Sequence, residues 1–433
     1  MEKVKIFTRS LGCPKNLVDT ENILGGFGDL FEPAADISGS HAVLINTCAF
    51  IRPAVEESLD VIFSAYQEIK GLEKKPLLAV TGCLVSRYGP GLGREIPEAD
   101  IFCGIDEQKN LAGTILARLG YAVPGSPSMR RVSTPVSYAY LKISEGCSNK
   151  CSFCTIPSIR GRLKSRASGH IIEEARRLLD RGTKELILVA QDSTAYGRDT
   201  GSRDGLAGLV NDLGRLEGLE RLRVMYLYPS GLSRKLLEQL ASSKGPFLPY
   251  FDVPLQHSHP DVLKKMGRPF KDDPWKVIHR IRDVFPEAAI RTTLITGFPG
   301  ETEEHFRHLV RFVQEACFHH LGVFPFYPEQ GSRASELPRQ VSPAVSAGRA
   351  DRIMRIQKKI SRSILEAFED EVLEILVDSP HGEWPGLFTG RAWFQAPEID
   401  GMTYVSGPDA APGGIIRCRV QNTGDYDLTA LQE

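Results

Sequence analysis

Three cysteines close together in the sequence carry the strongest chemical signal of this chain. Cys147, Cys151 and Cys154 form a C-x-x-x-C-x-x-C run within residues 145–161, EGCSNKCSFCTIPSIRG. Thiolates at this spacing can bind one metal centre, but an iron–sulfur cube or a tetrahedral zinc usually takes four protein ligands. Either the fourth ligand lies elsewhere in the chain, or one metal position is left open for a substrate or cofactor.

The surrounding residues favour iron–sulfur chemistry over structural zinc. A zinc site usually pairs one C-x-x-C with a second pair or with histidines. The sequence has no second C-x-x-C and no histidine in the ten residues before Cys147, and the first histidine after Cys154 is His170, 16 residues on. An iron–sulfur cube on three cysteines would leave one iron open, with the ring of Phe153 beside the last ligand.

Three further cysteines recur at a regular interval in the first part of the chain. Cys13, Cys48 and Cys83 end the runs VKIFTRSLGC, HAVLINTC and PLLAVTGC and are 35 residues apart. Helical stretches alternate with these runs, which is typical of a parallel sheet. Because carboxyl ends of parallel strands share one edge, we expect the thiols to converge there, although three separate buried thiols would give the same pattern. The other cysteines are predicted to be single buried thiols: Cys103, Cys317 and Cys418.

The elements that position these cysteines indicate a mixed α/β chain with three domains. Residues 1–130 are predicted to form a parallel α/β domain, followed by a Pro- and Ser-rich linker over 124–137. Residues 131–365 contain six likely strands alternating with helices, which predicts a partial (β/α) barrel with its chemistry at the strand carboxyl ends. Short strands separated by Gly, Pro and Asp turns predict an all-β, OB-like barrel over 366–433.

Composition excludes several classes of protein. The chain has 433 residues, 42% of them hydrophobic and 25% charged, as in ordinary globular proteins. It has no run near the roughly 20 apolar residues of a membrane span, and its start lacks the apolar core of a secretory signal. We therefore expect a cytoplasmic protein without membrane partners, whose cysteines stay reduced.

The charge is distributed unevenly along the chain. Residues 366–433 contain 13 acidic and 3 basic residues, a net charge of −10, whereas the first 365 residues contain 41 acidic and 50 basic residues, a net charge of +9. Such an acidic segment would attract a basic partner and repel a phosphate backbone, although a merely solubilising surface is the simpler interpretation. With three basic residues, it carries no strong nucleic-acid signature.

A three-cysteine run at the first strand of a six-stranded barrel resembles the radical S-adenosylmethionine (SAM) superfamily. The resemblance implies a 4Fe–4S cluster on Cys147, Cys151 and Cys154 whose open iron binds SAM, and whose electron cleaves SAM to a 5′-deoxyadenosyl radical. Where many members carry Gly-Gly-Glu, this chain has Gln191-Asp192. The positions that the resemblance implies for SAM contacts are Phe153, Gln191, Gln256 and Gly297.

The cysteine triad before this barrel and the β-barrel after it narrow the resemblance to the methylthiotransferases. In that family an N-terminal MTTase (UPF0004) domain binds a second 4Fe–4S cluster, which implies Cys13, Cys48 and Cys83 as its ligands. The last domain resembles a TRAM domain, to which the resemblance assigns substrate recognition. No catalytic side chain beyond the cluster ligands is implied, since the radical removes the hydrogen. A sulfur donor and an electron donor are implied as partners.

Two substrate classes compete within this family. SLGCPKNLVDTE (residues 10–21) and APEIDGMTYVSG (residues 396–407) resemble RimO-type enzymes, which methylthiolate the β-carbon of an aspartate in small-subunit ribosomal protein twelve, free or in the subunit. MiaB-type enzymes, which modify a tRNA adenosine, typically read nearer to Gly-Cys-Gln-Met-Asn at the first cysteine, and tRNA modification is the alternative.

A third hypothesis, from another class, is a nucleic-acid-binding protein whose cysteines hold structural metal. The kind of metal separates it from the two enzyme hypotheses, because an iron–sulfur protein is brown and a zinc protein is colourless. The basic run IRGRLKSR (residues 159–166) fits all three hypotheses, either as the lining of an entrance or as a solvated loop.

Overall fold

The structure is a computed structural model that describes residues 3–125, 129–243, 245–268 and 273–433. Within these residues the chain forms two compact units. The first comprises Met1–Ser133, Gly146–Ser148 and Cys154–Arg162, and the second comprises Thr134–Glu145, Asn149–Phe153 and Leu163–Glu433. The predicted linker includes residues 126–128, which lie outside the described residues.

The first unit contains a five-stranded parallel sheet. Its strands and helices are Val4–Ser10 (β1), Pro14–Gly25 (α1), Phe31–Pro33 (β2), Ala42–Thr47 (β3), Arg52–Lys70 (α2), Leu77–Gly82 (β4), Cys83–Tyr88 (α3), Leu92–Glu95 (α4), Ile101–Cys103 (β5), Gln108–Arg118 (α5) and Ile156–Arg160 (α6). The strand order is β2-β1-β3-β4-β5, with every neighbouring pair parallel. This confirms the predicted parallel α/β domain.

Helices cover both faces of this sheet, so its central strands are almost wholly buried. β3, with the sequence AVLINT, is buried along its whole length. Successive side chains of a strand point to opposite faces, so Val43 and Ile45 pack with residues of α2 and α3, whereas Leu44 packs with residues of α1 and α5. Each such Leu or Ile stabilises the fold by about 1.5–3 kcal/mol through burial.

Part of the predicted linker packs on the first unit. Arg130 Nε lies 3.0 Å from Glu21 Oε2 of α1, and Ser133 Oγ donates to Glu21 Oε1 at 2.7 Å. Arg130 and Glu21 have buried side chains. Residues 130–133 are therefore tied to α1.

The second unit contains the remaining strands and helices. In chain order they are Tyr138–Lys142 (β6), Ser144–Glu145 (β7), Lys164–Ser165 (β8), Ser168–Asp180 (α7), Glu185–Val189 (β9), Gly205–Leu213 (α8), Arg221–Val224 (β10), Arg234–Ala241 (α9), Tyr250–Asp252 (β11), Pro260–Lys265 (α10), Pro274–Val284 (α11), Ala289–Thr296 (β12), Glu303–Ala316 (α12), His320–Pro325 (β13), Pro343–Glu366 (α13), Val372–Pro380 (β14), Leu387–Arg391 (β15), Thr403–Ser406 (β16), Ile415–Thr423 (β17) and Leu428–Gln432 (β18).

All six strands predicted for the central domain are present and alternate with helices. They form two parallel groups, β10-β9-β6 and β11-β12-β13. The last five strands close into a barrel in the order β14-β15-β16-β18-β17, which confirms the predicted all-β domain. In β17 Ile416, Cys418 and Val420 point inward while Arg417 and Arg419 point outward, the period-2 pattern of a half-buried strand.

The C-terminal barrel packs against the amino-terminal ends of the central strands. The first residue of β9, Glu185, pairs with Arg391 Nη1 at 2.5 Å, and the first residue of β10, Arg221, donates to the Arg391 carbonyl at 2.9 Å. The first residues of three further strands also contact this barrel: Tyr138 of β6, Tyr250 of β11 and His320 of β13. The barrel therefore lies at the end of these strands that is opposite to their carboxyl ends, where chemistry is expected.

One of the three predicted buried thiols is not buried. Cys103 and Cys418 are buried as predicted, but Cys317 is exposed. Cys317 caps the carboxyl end of α12 with a left-handed φ of 46°. After this turn it is Phe318, fully buried, that enters the core.

None of the helices in the described part of the chain combines the length and apolar character needed to cross a lipid bilayer.

Candidate functional site

The structure brings Cys13, Cys48 and Cys83 to the carboxyl ends of three neighbouring strands. Cys13 is the N-cap of α1, three residues after the end of β1. Cys48 directly follows β3, and Cys83 is the first residue of α3, directly after β4. Because β1, β3 and β4 are adjacent in the sheet, one edge of the first unit collects all three thiols.

Glycines precede two of these cysteines and permit the close approach. Gly12 has φ +84°, and a Cβ there would lie 2.8 Å from Cys48 Sγ. Gly82 has φ +100°, and a Cβ there would lie 2.2 Å from Asn46 Oδ1. Only glycine meets both the backbone conformation and the contact distance at these positions. The Gly-Cys pairs at 12–13 and 82–83 are thus a sequence signal of the site.

Asn16 holds the loops that carry two of the thiols. Its Nδ2 donates to the carbonyl of Leu11 at 2.8 Å and to that of Thr47 at 2.9 Å. Leu11 lies two residues before Cys13, and Thr47 immediately precedes Cys48. The buried amide therefore fixes both loops relative to one another.

Burial and charge act differently on the three thiols. Burial raises the pKa of Cys13, but the charges of Lys15 and Arg160 outweigh it, so that the pKa is lowered from its ordinary value. Burial raises the pKa of Cys48 to about 11 and also raises that of Cys83, and a charge on either of these thiols would oppose a charge on the other. Cys83 is buried, while Cys13 and Cys48 are partly buried. A site with three neighbouring thiols suits a soft metal centre, whose positive charge stabilises the thiolates.

Two cysteines of the second run, Cys147 and Cys154, belong to the first unit. The Cys147 amide donates to the Gly161 carbonyl at 3.1 Å. The Ile156 amide points at Cys154 Sγ from 3.4 Å. A backbone N–H directed at sulfur favours the thiolate, the form that binds metal.

The third cysteine of this run, Cys151, belongs to the second unit. Its Sγ lies 3.9 Å from Tyr228 Oη. The next residue, Ser152, is tied by its amide to the Met266 carbonyl at 2.9 Å and by its carbonyl to the Ala334 amide at 2.8 Å. Cys151 is therefore held on a fixed loop at the carboxyl-end side of the central strands.

Phe153 lies beside a buried arginine that has unpaired hydrogen-bond donors. The guanidinium of Arg268 lies 5.9 Å from the Phe153 ring centroid and 4.4 Å from that of Tyr228. Arg268 is 6% exposed, and its Nε and Nη1 find no hydrogen-bond partner among the described residues. Leaving such donors unpaired costs about 1–3 kcal/mol or more for a charged group, so this guanidinium is suited to an anionic ligand.

Gln191 presents an open acceptor, whereas its neighbour does not. Gln191 Nε2 donates to Glu145 Oε1 at 2.8 Å, while its buried Oε1 has no hydrogen-bond partner in the described part of the chain. The Asp192 carboxylate accepts hydrogen bonds from Asn149 at 2.7 Å and from Thr194 at 2.6 Å. Asp192 thus anchors the residues around Cys151, and Gln191 offers an oxygen to a cation.

Gln256 and Gly297 occupy left-handed backbone at the ends of β11 and β12. Gln256 has φ +73°, a strained conformation for a residue with a side chain. Gly297 has φ +72°, and a Cβ there would lie 1.8 Å from Ser346 Oγ. Its amide donates to the buried Glu301 at 3.0 Å, which fixes the turn after β12.

Among the described residues, one group of three potential ligand side chains has all its ligand atoms within 4.8 Å of one another: His259, Asp261 and His305. Both imidazoles cap helices. His259 Nδ1 accepts from the Asp261 amide, and His305 Nδ1 accepts from the Thr302 amide. With both Nδ1 lone pairs in use, the neutral rings carry their proton on Nε2 and offer no lone pair to a metal.

Sequence reasoning missed Asn16, Arg160 and Arg268. Arg160 belongs to the basic run 159–166, yet its side chain is 2% exposed and therefore is not part of a solvated loop, whereas Arg162 is exposed. Asn16 and Arg160 lie within a few residues of a cysteine, but no such signal marks Arg268.

Family models match three parts of the chain. Residues 5–104 match the uncharacterized protein family UPF0004, residues 141–313 match the radical SAM superfamily, and residues 371–431 match the TRAM domain.

Curated relatives match along almost the whole chain. A protein of Oleidesulfovibrio alaskensis named ribosomal protein uS12 methylthiotransferase RimO is 52% identical over 99% of this chain and 100% of its own length. A protein of the same name from Syntrophus aciditrophicus is 43% identical over 99% of this chain and 98% of its own. Further relatives at 40–51% identity share this name, so the tRNA alternative is not favoured.

Among solved structures, the radical SAM methyltransferase TsrM from Kitasatospora setae, with a tryptophan substrate and a SAM analogue bound, has a TM-score of 0.54. It covers 92% of this chain and 80% of its own at 16% identity. This likeness shows a common fold.

Proposed function

The chain belongs to the ribosomal protein uS12 methylthiotransferase family, and we propose that it adds a methylthio group to the β-carbon of an aspartate in that small-subunit ribosomal protein. The observation that carries the proposal is the convergence of Cys13, Cys48 and Cys83 on one edge of the first sheet, in a chain that also carries a C-x-x-x-C-x-x-C run. Relatives of this name that align over the whole chain support the substrate.

We propose that each set of three cysteines binds one 4Fe–4S cluster. The glycines at 12 and 82 and the amide of Asn16 fit three thiolates of one cluster in the first unit. When bound, the clusters and SAM supply the radical that removes hydrogen and the sulfur that is transferred. The side chains bind, orient and desolvate these groups, and none is proposed as a general acid or base.

Side chains at the strand carboxyl ends of the second unit fit SAM. The unpaired Oε1 of Gln191 would accept from the amino group, and the unpaired donors of Arg268 would bind the carboxylate. Phe153 lies against Arg268 and would shield the contact between Arg268 and the carboxylate from water. Gln256 and Gly297, which follow β11 and β12 with left-handed backbone, would lie along the nucleoside.

We propose domain boundaries at 1–130, 131–365 and 366–433. The three family matches, 5–104, 141–313 and 371–431, each fall within one of these ranges, and the first compact unit reaches Ser133. The domains would be an MTTase domain with the second cluster, a radical SAM core and a TRAM barrel that recognises substrate.

The surface of the C-terminal barrel suits a basic protein substrate. Of its three arginines, Arg391 is buried, while Arg417 and Arg419 are exposed and both pair with Glu433. The exposed surface therefore keeps a large excess of acidic over basic side chains, and ribosomal proteins are basic. Trp384, 64% exposed in the β14–β15 loop, adds an aromatic anchor of the kind enriched at interfaces.

A competition assay tests the substrate. Enzyme with both clusters reconstituted without oxygen would receive SAM, a reductant and sulfide, with uS12 and unmodified tRNA offered together, and both products would be read by mass spectrometry. A methylthio group on an aspartate of uS12 alone is expected. A methylthio group on adenosine alone would refute the substrate but keep the radical chemistry.

Two cysteine variants test the division of labour. Cys151→Ala should abolish 5′-deoxyadenosine formation, whereas Cys48→Ala should abolish sulfur insertion and leave some SAM cleavage. Cys317→Ala, at an exposed thiol outside both sets, is the matched control and should change neither. Equal loss of both activities in the first two variants would contradict separate roles.

A further inference from the structure

A buried arginine reaches the thiols of the first unit from a distant part of the chain. Arg160 is the last residue of α6, and its side chain is 2% exposed. Its Nη1 lies 3.2 Å from Asp19 Oδ2 of α1, and its Nη2 donates to Asn16 Oδ1. All of these residues belong to the first unit.

Besides its carboxylate partner, the guanidinium contacts an amide that lies next to the thiols. Asn16 Oδ1, which accepts from Arg160, also lies 3.8 Å from Cys83 Sγ. Nδ2 of the same amide holds the loops of Cys13 and Cys48 through Leu11 and Thr47. Nη1 of the guanidinium thus contacts the carboxylate of Asp19, and Nη2 contacts the Asn16 amide, which lies beside Cys83 and holds the loops of Cys13 and Cys48.

The charge of the buried Arg160 guanidinium acts strongly on the groups around it. Water is largely excluded from Arg160 and Asp19, so the effective dielectric constant is low and a charge affects its neighbours far more than it would at a surface. Arg160 Nη2 and Cys83 Sγ both contact Asn16 Oδ1, so the charge lies one amide group away from the thiols.

We propose that Arg160 is a positioning residue for the cluster on Cys13, Cys48 and Cys83, and that its charge raises the reduction potential of that cluster. The inference rests on the proposed function, because it assumes a cluster at this site. Reduction adds one negative charge to the cluster, so a nearby cation stabilises the reduced form. Asp19 holds the cation in place and partly offsets its charge.

An electrostatic role and a purely structural role of Arg160 predict different results for two variants. Arg160→Gln removes the positive charge and should lower the potential. Asp19→Asn keeps the hydrogen-bond acceptor but removes the negative charge, and it should raise the potential. A purely structural ion pair would instead give both variants the same outcome, a loss of bound cluster, with an unchanged potential in the clusters that remain.

The experiment measures the cluster of the first unit alone. All variants are made in full-length Cys151→Ala protein, in which the radical-run cluster is disabled, and iron, sulfide and the potential are determined by redox titration followed by electron paramagnetic resonance. Arg160→Gln is expected to lower the ratio of reduced to oxidised cluster about tenfold at a fixed potential, about 59 mV for one electron. Arg162→Gln, at an exposed arginine two residues away, is the control and should leave the potential unchanged.

The double variant Asp19→Asn/Arg160→Gln keeps the test decisive if a single variant fails to fold. It removes both charges together, so its potential should lie between those of the single variants. Potentials that agree among all folded variants would overturn the role of Arg160. Absence of about four irons per chain in the Cys151→Ala protein itself would refute the second cluster, and with it the proposed function, whatever the Arg160 variants do.

Discussion

Arg391 should attach the C-terminal barrel to the central strands, and its replacement by leucine gives a quantitative test. Its guanidinium lies 2.5 Å from Glu185 and 2.7 Å from Asp378, and 4.8 Å from the ring centroid of Tyr138. Glu185 is fully buried and also pairs with Arg223 at 2.7 Å. Arg391→Leu would leave Glu185 with one fewer cation and Asp378 without its arginine.

The cost of breaking a buried ion pair gives the magnitude of this loss, and the pKa of Glu185 gives its pH dependence. Removing one partner of a buried ion pair typically costs about 3–5 kcal/mol. Burial alone would raise the pKa of Glu185, but Arg223, Arg391 and Arg221 together lower it from 4.5 to about 2, a net stabilisation of roughly 3 kcal/mol to which Arg391 contributes a part. Because the folded pKa lies below the unfolded one, this stabilisation is complete above pH 4.5 and is lost as the pH falls toward 2. We expect Arg391→Leu to cost about 3 kcal/mol at neutral pH.

Thermal unfolding of the holoprotein measures this cost. For a unit of this size, 1 kcal/mol shifts the midpoint by about 2 °C, so a decrease of roughly 6 °C is expected. The control is Arg417→Leu on the same barrel, whose side chain is 72% exposed and pairs with Glu433 at 3.8 Å; it should cost less than about 1 kcal/mol. Midpoints for the two variants within 1–2 °C of one another would refute the reasoning.

Three further predictions concern single residues. Gly82→Ala should reduce iron content in the first unit, because a Cβ at φ +100° would meet Asn46 Oδ1 at 2.2 Å, whereas Gly91→Ala, with open space around it, should not. Gln191→Leu should raise the Kd for SAM about tenfold in equilibrium binding, since a hydrogen bond to a charged group is worth about 1.5–3 kcal/mol; an unchanged Kd would exclude the contact. Burial lowers the pKa of His319 to about 4, so wild-type stability should fall by up to ~3 kcal/mol as the pH drops from 6.5 to 4. His319→Gln should flatten this dependence in denaturant titrations, and an unaltered slope would contradict the assignment.

The positions of three first-unit thiols could be predicted because they follow from strand geometry alone. The carboxyl ends of parallel strands lie along one edge of the sheet. A cysteine after each of three strands therefore lies at that edge, whatever the packing of the other side chains. The predicted runs before Cys13, Cys48 and Cys83 correspond to β1, β3 and β4, which are neighbours in the sheet. The order β1-β3-β4 was not itself evident from the spacing.

Other features depend on contacts that periodicity does not encode. Tyr226 and Gln256 have left-handed backbone, with φ of +59° and +73°, although neither is a residue type that indicates such a turn. Arg160 reads as part of a basic surface run, yet it is buried because α6 packs Ile159 into the core of the first unit. In both cases long-range packing overrides the local signal.

The place of the C-terminal barrel limits how it can contribute to catalysis. It contacts the first residues of five central strands, among them Tyr138, Glu185, Arg221 and Tyr250. The proposed SAM contacts lie at the opposite, carboxyl ends of the same strands. The acidic surface of the barrel therefore cannot touch the target aspartate in the proposed site, and it would act on a remote part of the substrate. Its loss should then affect the KM for uS12 rather than the chemistry. Deleting the barrel is a poor test of this role, because deletion would also expose the buried Glu185; charge reversal on the exposed acidic surface leaves that network intact.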